Sequence, residues 1–563
     1  MKDLLKSPWV LIIVIFFGAL LRFWNILAND ITNDLSINAF RAYGWLDFLV
    51  GDGQTSPIVW FGFRPWWSLL SFHDLPPLIM AIQYLSIKLI GPSSLGVLFP
   101  FLLSSILVTF FLYYFLKKTA NQSIAIIASL IFSISSYSVW AARTGYLEGA
   151  EVLFIILAFF LFILFIKTKK NKHFYLFSIF IALAILSKYT SIFLIPSALA
   201  YLVIFERKIF KNKHFYLAIL SGLILLTPII IYNIFVFKTK GHFDAALSSM
   251  VGMHPQDYDV IAERGVNASI LKNLGSIMVV IFRSSSLPLV LVYALSFIFL
   301  LIKVTRRQTR YWQNFLAINI VMIILMFSFS GAPPRLLSII NPFLAILAAW
   351  FLYRLFILVR NKKFLNYFLI FIFIIFALAE IFYNINTNVL RKPVGPLWLT
   401  YSGYRFYNRG FIELEKYIKE NIYISNKKVK LDTYKDLRSV SLEGNKIMLF
   451  DERLDWFARV WYINRYMLYY KAPLFYFQDI EPAMKQAGVS DVFAYFNKFL
   501  DINEFYFVYV IDDESRSNKS QNYIDQMNLI KDNLEKSGIN PDREIKDYKG
   551  EVIYKIYHFY INN

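Results

Sequence analysis

The feature that most constrains this chain is a series of long apolar segments within its first 385 residues. About 20 apolar residues are needed to cross the hydrocarbon core of a bilayer as a helix. The segments predict eleven transmembrane helices and an α-helical polytopic membrane protein. The predicted spans lie near residues 8–28, 93–116, 120–138, 145–166, 173–190, 189–206, 214–237, 286–302, 312–330, 336–358 and 364–385.

Basic residues separate the predicted loops into two sides. One side carries 20 Lys and Arg residues against two acidic ones, whereas the other side carries 12 of each. Loops rich in Lys and Arg stay in the cytoplasm. The rule predicts a multi-pass protein of the plasma membrane with a cytoplasmic N-terminus and an extracytoplasmic C-terminal region. It also puts the long loops 29–92 and 238–285 on the outer face.

The formal net charge of +20 belongs to the membrane half of the chain. Residues 1–385 hold 32 basic and 14 acidic residues, whereas residues 386–563 hold 26 and 24. Because the excess positive charge is explained by membrane orientation, nucleic acid is not expected as a partner. The chain has no Cys, which excludes disulfides, zinc–thiolate sites and thiol catalysis.

The C-terminal region alternates helical and strand-like patterns. Helices are predicted at "GFIELEKYIKENI" and "YIDQMNLIKDNLEKSG", and strands at "KVKLDTY", "KIMLFDE" and "FYFVYVIDD". We therefore predict two domains. Residues 1–385 would form a transmembrane domain with amphipathic juxtamembrane helices in its first outer loop, and residues 386–563 a soluble extracytoplasmic α/β domain.

Isolated cations stand at the outer ends of the predicted spans. They are Arg22, Arg143, Lys188 and Arg335. Taken singly, Arg22, Lys188 and Arg335 are equally well explained as anchors that extend to the membrane interface. Together, the isolated cations would suit a phosphate group at the outer leaflet, because Arg and Lys form charge-assisted hydrogen bonds with phosphate.

Two carboxylates emerge close to the same face, Asp34 before a predicted helix at 35–49 and Glu148 at the start of the fourth span. A carboxylate at an apolar boundary can serve as a base. Each can equally be a helix N-cap, since Asp and related residues are favoured there. His73 and Asp74 form a further polar pair, directly before two prolines that start a helix.

The loop "GMHPQDYD" contains His254, Asp257 and Asp259 and superficially resembles a metal cluster. Its spacing fits no standard set of metal ligands, so a solvated loop is the favoured interpretation. Trp60, Trp66 and Trp67 in the first outer loop can either stack on sugar rings or lie in the membrane interface. The interfacial interpretation is favoured, because Trp is enriched at that depth.

These segments, in this order, resemble the GT-C superfamily of integral-membrane glycosyltransferases. The resemblance is to the protein O-mannosyltransferases and lipid A aminoarabinose transferases of the glycosyltransferase family 39 type. "NDLSINAFRAYGWLDF" is similar to the family's acidic motif and amphipathic helix, with Asp34 in the Asp position and Leu35 where the family has Glu. "HDLPPLIMAIQYLSIKLIG" is similar to the family's Pro-Pro segment.

Three further segments carry the resemblance as far as residue 350. "SVWAARTGYLEGAEVLF" supplies an Arg and an acidic residue, Arg143 and Glu148. "ALAILSKYTSIFLIPSALAYL" resembles the family's Thr-Lys-Gly segment through Lys188, with Tyr189 in place of Gly. "PPRLLSIINPFLAILAA" resembles its Arg-Tyr-Leu-Leu-Pro segment through Arg335.

The resemblance implies transfer of a sugar from a polyprenyl-phosphate donor to a lipid, glycan or protein acceptor at the outer face, within membrane lipids. It implies that Asp34 is the general base and that the reaction inverts the anomeric centre. Arg143, Lys188 and Arg335 would bind the donor phosphate, and Glu148 would bind the acceptor or orient Asp34. His73 and Asp74 are candidate substrate-binding residues.

No cofactor is certain from the resemblance. Because Leu35 replaces the second acid of the family's pair, the case for a divalent cation is weaker, and it stays an open alternative. Three other functions stay open: a polyprenyl-linked oligosaccharide ligase, a lipid or sugar transporter, and a non-catalytic assembly factor. A transporter would have ionisable or Gly- and Pro-broken positions near mid-membrane in corresponding halves, which the sequence does not suggest.

Overall fold

The computed structural model describes residues 8–49, 55–258, 269–331, 333–390, 408–425, 427–438, 445–511 and 519–561. The chain divides into two compact units. The first unit comprises Met1–Ile26 and Trp67–Phe406, and the second comprises Leu27–Trp66 and Tyr407–Asn563. The domain boundary at residue 385 stays a prediction. The structural division groups the loop after the first helix with the C-terminal part of the chain.

The chain up to residue 390 is described as helices joined by short connections. In chain order they are α1 (Pro8–Phe23), α2 (Asp34–Gly44), α3 (Pro57–Phe61), α4 (Leu78–Ile90), α5 (Ser94–Thr119), α6 (Gln122–Ile134), α7 (Ser136–Thr144), α8 (Leu147–Thr168), α9 (Asn171–Ser187), α10 (Leu194–Phe205), α11 (Lys213–Leu225), α12 (Thr227–Lys240), α13 (Ala245–Met250), α14 (Ile270–Arg283), α15 (Leu287–Thr305), α16 (Tyr311–Ser330), α17 (Pro334–Leu337), α18 (Asn341–Leu358) and α19 (Lys363–Asn384). Of these, α2 and α3 belong to the second unit.

Among the described residues, seven helices are long and apolar enough to cross a membrane, and nine if each of two bent helix pairs is one span. The bent pairs are α6 with α7, at 54°, and α11 with α12, at 63°. The predicted spans near 173–190 and 189–206 fall on shorter apolar helices, Asn171–Ser187 and Tyr189–Phe205. Each predicted span therefore lies on apolar helix, and the polytopic α-helical fold class is confirmed.

Helix α8 forms the centre of the first unit. Its most apolar window is 83% buried, as expected for a helix that is apolar on all sides. Phenylalanine rings fill the space between α8, α16 and α18. The ring centroids of Phe159 and Phe162 lie 5.3 and 4.3 Å from that of Phe315, and Phe159 lies 5.2 Å from Phe343. This packing fixes the middle of α8 against α16 and α18.

The bend between α6 and α7 is stabilised by a buried carboxylate from the end of α19. One oxygen of Glu380 accepts a hydrogen bond from the backbone N–H of Ser136, at 2.6 Å. The other accepts from the backbone N–H of Ser286, at 2.7 Å. The amide groups at a helix N-terminus lack partners within the helix. Glu380, which is fully buried, satisfies one such amide at the start of α7 and one at the start of α15.

After residue 408 the second unit is an α/β structure. Its helices are α20 (Phe411–Asn421), α21 (Tyr434–Arg438), α22 (Trp456–Arg459), α23 (Arg465–Tyr470), α24 (Phe477–Ala487), α25 (Val492–Leu500) and α26 (Gln521–Lys536). Its strands are β1 (Lys446–Phe450), β2 (Leu474–Tyr476), β3 (Glu504–Val510), β4 (Pro541–Lys546) and β5 (Val552–Tyr560). The sheet order is β2-β1-β3-β5-β4. β1 is parallel to β2 and β3, whereas β5 is antiparallel to β3 and β4.

The predicted helices α20 and α26 and the predicted strands β1 and β3 are confirmed. The predicted strand "KVKLDTY" at residues 428–434 is wrong, because the segment forms only one bridge, between Thr433 and Phe63. Its alternation has another cause: Leu431 points into a small core, and the amino group of Lys428 lies 4.0 Å from the ring centroid of Tyr43. The pattern therefore reflects packing on the segment after α1.

Candidate functional site

Four predicted site residues meet around the turn between α7 and α8. Arg143 lies in the last turn of α7, and Glu148 lies in the first turn of α8. The Lys188 Nζ atom is 2.6 Å from Glu148 Oε1. The Arg335 guanidinium carbon lies 5.8 Å from the ring centroid of Tyr146, the residue before α8. Arg143, Glu148, Lys188 and Arg335 therefore cluster within the first unit.

Two glycines make this turn possible. Gly145 ends α7 with φ of 64°, in the left-handed region that Gly adopts without strain. A Cβ atom at Gly149 would lie 2.9 Å from the carbonyl oxygen of Ala141. Because that distance is shorter than a normal contact, Gly149 allows α7 and α8 to approach closely and keeps Arg143 near Glu148.

Arg143 binds the end of α1. Its Nη1 donates hydrogen bonds to the backbone oxygens of Leu21, Arg22 and Trp24, at 3.2, 3.0 and 2.8 Å. The last carbonyl groups of a helix have no partner within the helix, and a cation near them is favoured by the helix dipole. Arg143, which is fully buried, therefore fixes the point at which the chain leaves α1.

Arg22 has a similar structural role at the end of α6. Its Nε donates to Ser105 Oγ at 2.8 Å, and its Nη1 donates to the backbone oxygens of Gly18 and Ser133, each at 2.9 Å. The side chain is fully buried. The interpretation of Arg22 as an anchor that extends to the membrane interface is therefore wrong.

The Glu148–Lys188 ion pair is buried mainly on the carboxylate side. The Glu148 side chain is 1% exposed and the Lys188 side chain is 14% exposed. Lys188 is the extended residue, with φ of −165°, that separates α9 from a short 3-10 helix at Tyr189–Phe193. Glu148 Oε2 is buried and has no hydrogen-bond partner among the described residues. An interfacial anchor would be far more exposed, so that interpretation is also wrong for Lys188.

Lys188 is the first of three consecutive residues that each bind a different carboxylate. Thr190 Oγ1 lies 2.8 Å from both carboxylate oxygens of Glu151. Tyr189 donates its hydroxyl hydrogen to Asp244 Oδ2 at 2.7 Å. The break between α9 and α10 is thus tied to α8 twice and to the start of α13 once.

Glu151 and Asp244 were not identified from the sequence. Glu151 follows Glu148 by three residues, which puts both on one helical face and was a usable signal. No comparable sequence signal marked Asp244, because its hydrogen-bond partners Tyr189 and Asn233 lie 55 and 11 positions away along the chain. It is fully buried and caps α13 through the Leu247 N–H. Burial raises the pKa of Asp244 above its ordinary value.

His73 and Asp74 lie near Asp244. His73 is fully buried, its ring stacks on Tyr258 with centroids 5.6 Å apart, and its backbone oxygen accepts from the Ala245 N–H at 2.7 Å. Asp74 is close enough to Asp244 for its charge to contribute to the raised pKa of Asp244. Substrate binding by this pair stays a prediction.

The loop that superficially resembled a metal cluster forms ion pairs instead. Asp257 Oδ2 lies 3.0 Å from Lys240 Nζ and 3.1 Å from His242 Nε2. Asp259 lies outside the described residues. In the part of the chain that the structure describes, no group of three or more His, Asp or Glu side chains could hold a metal ion.

Asp34 belongs to the second unit and is the first residue of α2. It is half-buried, and Asn33 before it has φ of 56°, an unusual conformation that Asn tolerates better than most residues. The N-cap is Asn33, so the capping alternative for Asp34 is wrong. It is wrong for Glu148 too, because the N-cap of α8 is Tyr146. Both carboxylates lie in the first turn of a helix, where the dipole stabilises negative charge.

Helix α2 is shorter than predicted and packs within the second unit. It ends at Gly44 instead of residue 49, because Trp45 adopts the left-handed conformation with φ of 48°. Ser36 Oγ donates to the Phe457 backbone oxygen at 2.6 Å, and the rings of Phe40 and Tyr469 are 5.1 Å apart. The apolar face of α2 is therefore buried against the C-terminal chain.

A carboxylate that the sequence analysis did not single out joins the segment before α2 to the C-terminal chain. The buried Asp30 accepts hydrogen bonds from the backbone N–H groups of Arg409 and Ile412, at 2.6 and 3.2 Å, at the start of α20. Tyr462 also links the segment before α2 to the C-terminal chain, because its hydroxyl accepts a hydrogen bond from the Ile31 N–H at 2.8 Å.

Trp60, Trp66 and Trp67 of the first outer loop differ in burial. Trp67 is 5% exposed and stacks on Phe235 with centroids 5.9 Å apart, so it is a core residue of the first unit. Trp60 is half-buried, and Trp66 is 60% exposed. The interfacial interpretation stays a prediction for Trp60 and Trp66 and is wrong for Trp67.

A family model described as dolichyl-phosphate-mannose-protein mannosyltransferase matches residues 74–232, which include Arg143, Glu148 and Lys188. The putative mannosyltransferase YkcB of Bacillus subtilis (strain 168) is 27% identical over 168 residues. The match covers 29% of this chain and 23% of YkcB, so the chain spans less than a quarter of that relative's length.

Solved structures are similar over nearly the whole chain. ArnT from Cupriavidus metallidurans, in the apo state and bound to undecaprenyl phosphate, has a TM-score of 0.53 with 13% and 11% identity, and 98% of each chain is covered. The oligosaccharyltransferase AglB from Archaeoglobus fulgidus, in complex with an inhibitory peptide and a dolichol-phosphate, has a TM-score of 0.50 at 13% identity over 89% of this chain and 69% of AglB. The fold is that of the GT-C glycosyltransferases, as the resemblance implied.

Proposed function

We propose that this GT-C protein transfers a sugar from a polyprenyl-phosphate-linked donor to a lipid, glycan or protein acceptor. The fold, the match to a mannosyltransferase family and the lipid phosphates bound to ArnT and AglB support a lipid-linked donor. The observation that carries the proposal is the Glu148–Lys188 ion pair in the first turn of α8, with Arg335 beside the ring of Tyr146, the residue before that helix.

Lys188 and Arg335 are the proposed ligands of the donor phosphate. An ammonium group has three hydrogen-bond donors, and among the described residues Lys188 Nζ contacts only Glu148 Oε1. The remaining donors can bind phosphate oxygens without breaking the ion pair. Arg335 is half-buried and lies above the ring of Tyr146, which orients its guanidinium group beside the same turn. Both cations would stabilise the negative charge that develops on the departing lipid phosphate.

Asp34 is the proposed general base. It would accept the proton of the acceptor hydroxyl while the acceptor oxygen attacks the anomeric carbon and the bond from that carbon to the phosphate oxygen breaks. The products are the glycosylated acceptor and the free polyprenyl phosphate. A single displacement inverts the anomeric centre, in contrast to retaining schemes, which need two displacements. No step of this scheme requires a metal.

Arg143 is proposed to act through position instead of direct contact, because its Nη1 is bound to three carbonyl oxygens at the end of α1. We assign no step to His73 or Asp74, since the His73 ring is buried against Tyr258. The cytoplasmic N-terminus and the extracytoplasmic C-terminal region are part of the proposal. Labelling of residues introduced into the loops on each side would test that orientation.

The test is release of undecaprenyl phosphate when the purified full chain is incubated with undecaprenyl-phosphate-linked sugars and a lipid, glycan or protein acceptor. Asp34→Asn is expected to lower turnover by about 10²–10⁴-fold, the usual contribution of a general base. Asp525→Asn, which changes an exposed carboxylate on α26, is the matched control and should retain full activity. Turnover by Asp34→Asn close to that of the control would contradict the assignment of the base.

A preassembled oligosaccharide donor is the second candidate, favoured by the similarity to the oligosaccharyltransferase AglB. Donors that carry one sugar and donors that carry a preassembled glycan would be compared in the same assay. Faster release from the glycan donor would favour the second candidate over single-sugar transfer.

A further inference from the structure

Two carboxylates stand one turn apart on the same face of α8. Glu148 and Glu151 are both fully buried. Three of their four oxygens have described partners: Glu148 Oε1 binds Lys188, and both oxygens of Glu151 bind Thr190. The fourth oxygen, Glu148 Oε2, is buried without a hydrogen-bond partner among the described residues. This unsatisfied atom lies beside the proposed phosphate ligand Lys188.

A buried acceptor without a donor is unfavourable, and it is more so when the acceptor belongs to a carboxylate. Lys188 Nζ forms its ion pair with Glu148 Oε1, so this contact leaves Oε2 without a hydrogen-bond donor. Such a site is completed by a ligand that donates a hydrogen bond. The Lys188 side chain is 14% exposed and that of Glu148 is 1% exposed, so Lys188 is the more accessible member of the pair.

We propose that Glu148 Oε2 accepts a hydrogen bond from a hydroxyl group of the donor's sugar ring, and so selects the sugar that is transferred. This inference rests on the proposed function, because it takes Lys188 as a phosphate ligand. A phosphate oxygen bound to Lys188 Nζ would lie about 2.8 Å from it. The sugar is bonded directly to that phosphate, so its ring lies within about one ring width of Glu148.

Thr190 and Glu151 support this subsite. Thr190 Oγ1 lies 2.8 Å from both oxygens of Glu151, so Glu151 has Thr190 as its partner whereas Glu148 has Lys188. Lys188 Nζ is bound to Glu148 Oε1, and Oε2 is the oxygen of that carboxylate that has no hydrogen-bond partner among the described residues. A site that is built to bind a hydroxyl group rejects an analogue that lacks it, because its own buried polar group is then left without a partner.

The experiment measures equilibrium binding to the full chain in detergent. The probes are undecaprenyl phosphate alone and undecaprenyl phosphate carrying mannose, glucose, galactose or arabinose. The wild type is expected to bind at least one sugar-bearing lipid about tenfold or more tightly than the bare lipid phosphate, as one well-placed hydrogen bond to a charged group allows. Glu148→Gln is expected to remove most of that preference while binding of bare undecaprenyl phosphate persists.

Two further variants control for indirect effects. Ser187→Ala removes a hydroxyl that bonds only to the Leu183 backbone oxygen within α9, and it should keep the wild-type preference. Glu148→Asp keeps the charge but shortens the side chain, so it should retain an intermediate preference. If Glu148→Gln does not fold, the wild type is tested with single-deoxy forms of the preferred sugar, of which at least one should bind about tenfold more weakly.

The outcomes separate the inference from the proposed function. If the wild type binds neither bare nor sugar-bearing lipid phosphate, the proposed function fails. If it binds them but Glu148→Gln and Glu148→Asp keep the full sugar preference, the inference alone is overturned. It is also overturned if Glu148→Gln keeps the sugar preference in binding and raises only the KM for the acceptor in the transfer assay, because the hydroxyl would then belong to the acceptor.

Discussion

In the first unit, two helix junctions each contain two cations, and the two pairs differ in their binding partners and in their exposure. At the junction of α1, α6 and α7, Arg22 and Arg143 are fully buried and bind backbone carbonyl oxygens. At the junction of α8, α9 and α17, Lys188 binds a carboxylate and Arg335 lies above a tyrosine ring, and both retain some exposure. The first pair holds helix ends together, whereas the second pair can still receive a ligand.

The difference follows from what lies within reach of each cation. The end of a helix presents carbonyl groups that have no partner, and a guanidinium group has five donors with which to satisfy them. At the junction of α1, α6 and α7, guanidinium groups therefore bind backbone carbonyl oxygens. Where a cation meets one carboxylate at the edge of a buried region, donors remain for a phosphate. Burial and partner type, more than residue type, separate the structural cations from the proposed ligand-binding cations here.

The largest expected effect comes from removing Arg22. Arg22→Met leaves Ser105 Oγ and the carbonyl oxygens of Gly18 and Ser133 without their guanidinium partner. We expect a loss of about 3 kcal/mol or more, and little folded protein. The measurement is the yield of monodisperse protein and its thermal unfolding. Arg354→Met, at an exposed position on α18, is the control. If Arg22→Met unfolded at the same temperature as the wild type, the structural role assigned to Arg22 would be contradicted.

Lys188→Gln should damage transfer more than folding. Removal of a charged hydrogen bond to phosphate is expected to lower kcat/KM for the lipid donor by about 10–100-fold. Thermal unfolding should change less than in Arg22→Met. Arg335→Gln should act in the same direction, since its half-buried guanidinium belongs to the same pair. Donor kinetics equal to wild type in both variants would show that this junction does not bind the phosphate.

Glu415 in the second unit offers a pair that is buried and has no proposed substrate role. Its Oε1 is 2.6 Å from Arg465 Nη2. Burial raises the pKa of Glu415, but the charges of Arg465 and Lys419 outweigh this and leave it below its ordinary value. Because the folded-state pKa is depressed, the pair stabilises the fold above the unfolded-state pKa of about 4.3, and this contribution is lost as the pH falls through the folded-state pKa.

The measurement for this pair compares wild type and Glu415→Gln. The variant should be less stable in thermal unfolding at pH 7, by about 2 kcal/mol, because Arg465 is left buried without its partner. The difference in stability between wild type and Glu415→Gln should decrease as the pH is lowered below 4. Donor kinetics should stay at wild-type values, which separates this cation from Lys188. A gap that does not depend on pH would contradict the sign of the pKa shift.

The smallest effect is expected for Arg143→Lys. The charge at the end of α1 is kept, but one ammonium group cannot reproduce the planar geometry of a guanidinium. We expect a loss of about 1 kcal/mol in stability and donor kinetics closer to wild type than those of Lys188→Gln. A loss of transfer as large as that of Lys188→Gln, without loss of stability, would make Arg143 a direct phosphate ligand.

Much of the membrane fold follows from local pattern. Each predicted span falls on apolar helix because a long apolar run has few other stable solutions in a bilayer. The grouping of Arg143, Glu148, Lys188 and Arg335 also followed from motif order, because each stands at the end of a helix. The three-residue strand β2 carried too short a pattern to be identified.

What the sequence did not reveal depends on partners distant in the chain. Nothing in the sequence distinguished Asp30 and Asp244 from other acidic residues before their backbone and hydroxyl donors were known. In the sequence, Arg22 and Arg143 could not be distinguished from Lys188, because all three are isolated cations near the end of a predicted span. The carbonyl oxygens that Arg22 and Arg143 bind become apparent only in the folded chain. The packing of α2 on Tyr469 could not be predicted, because Phe40 and Tyr469 are more than 400 residues apart in the sequence.

The most direct test of the account is a structure of the full chain with undecaprenyl phosphate bound. The account predicts a phosphate oxygen within about 3 Å of Lys188 Nζ, with Arg143 Nη1 still on the carbonyl oxygens at the end of α1. A phosphate held by Arg143, or one bound without contact to Lys188 and Arg335, would contradict it.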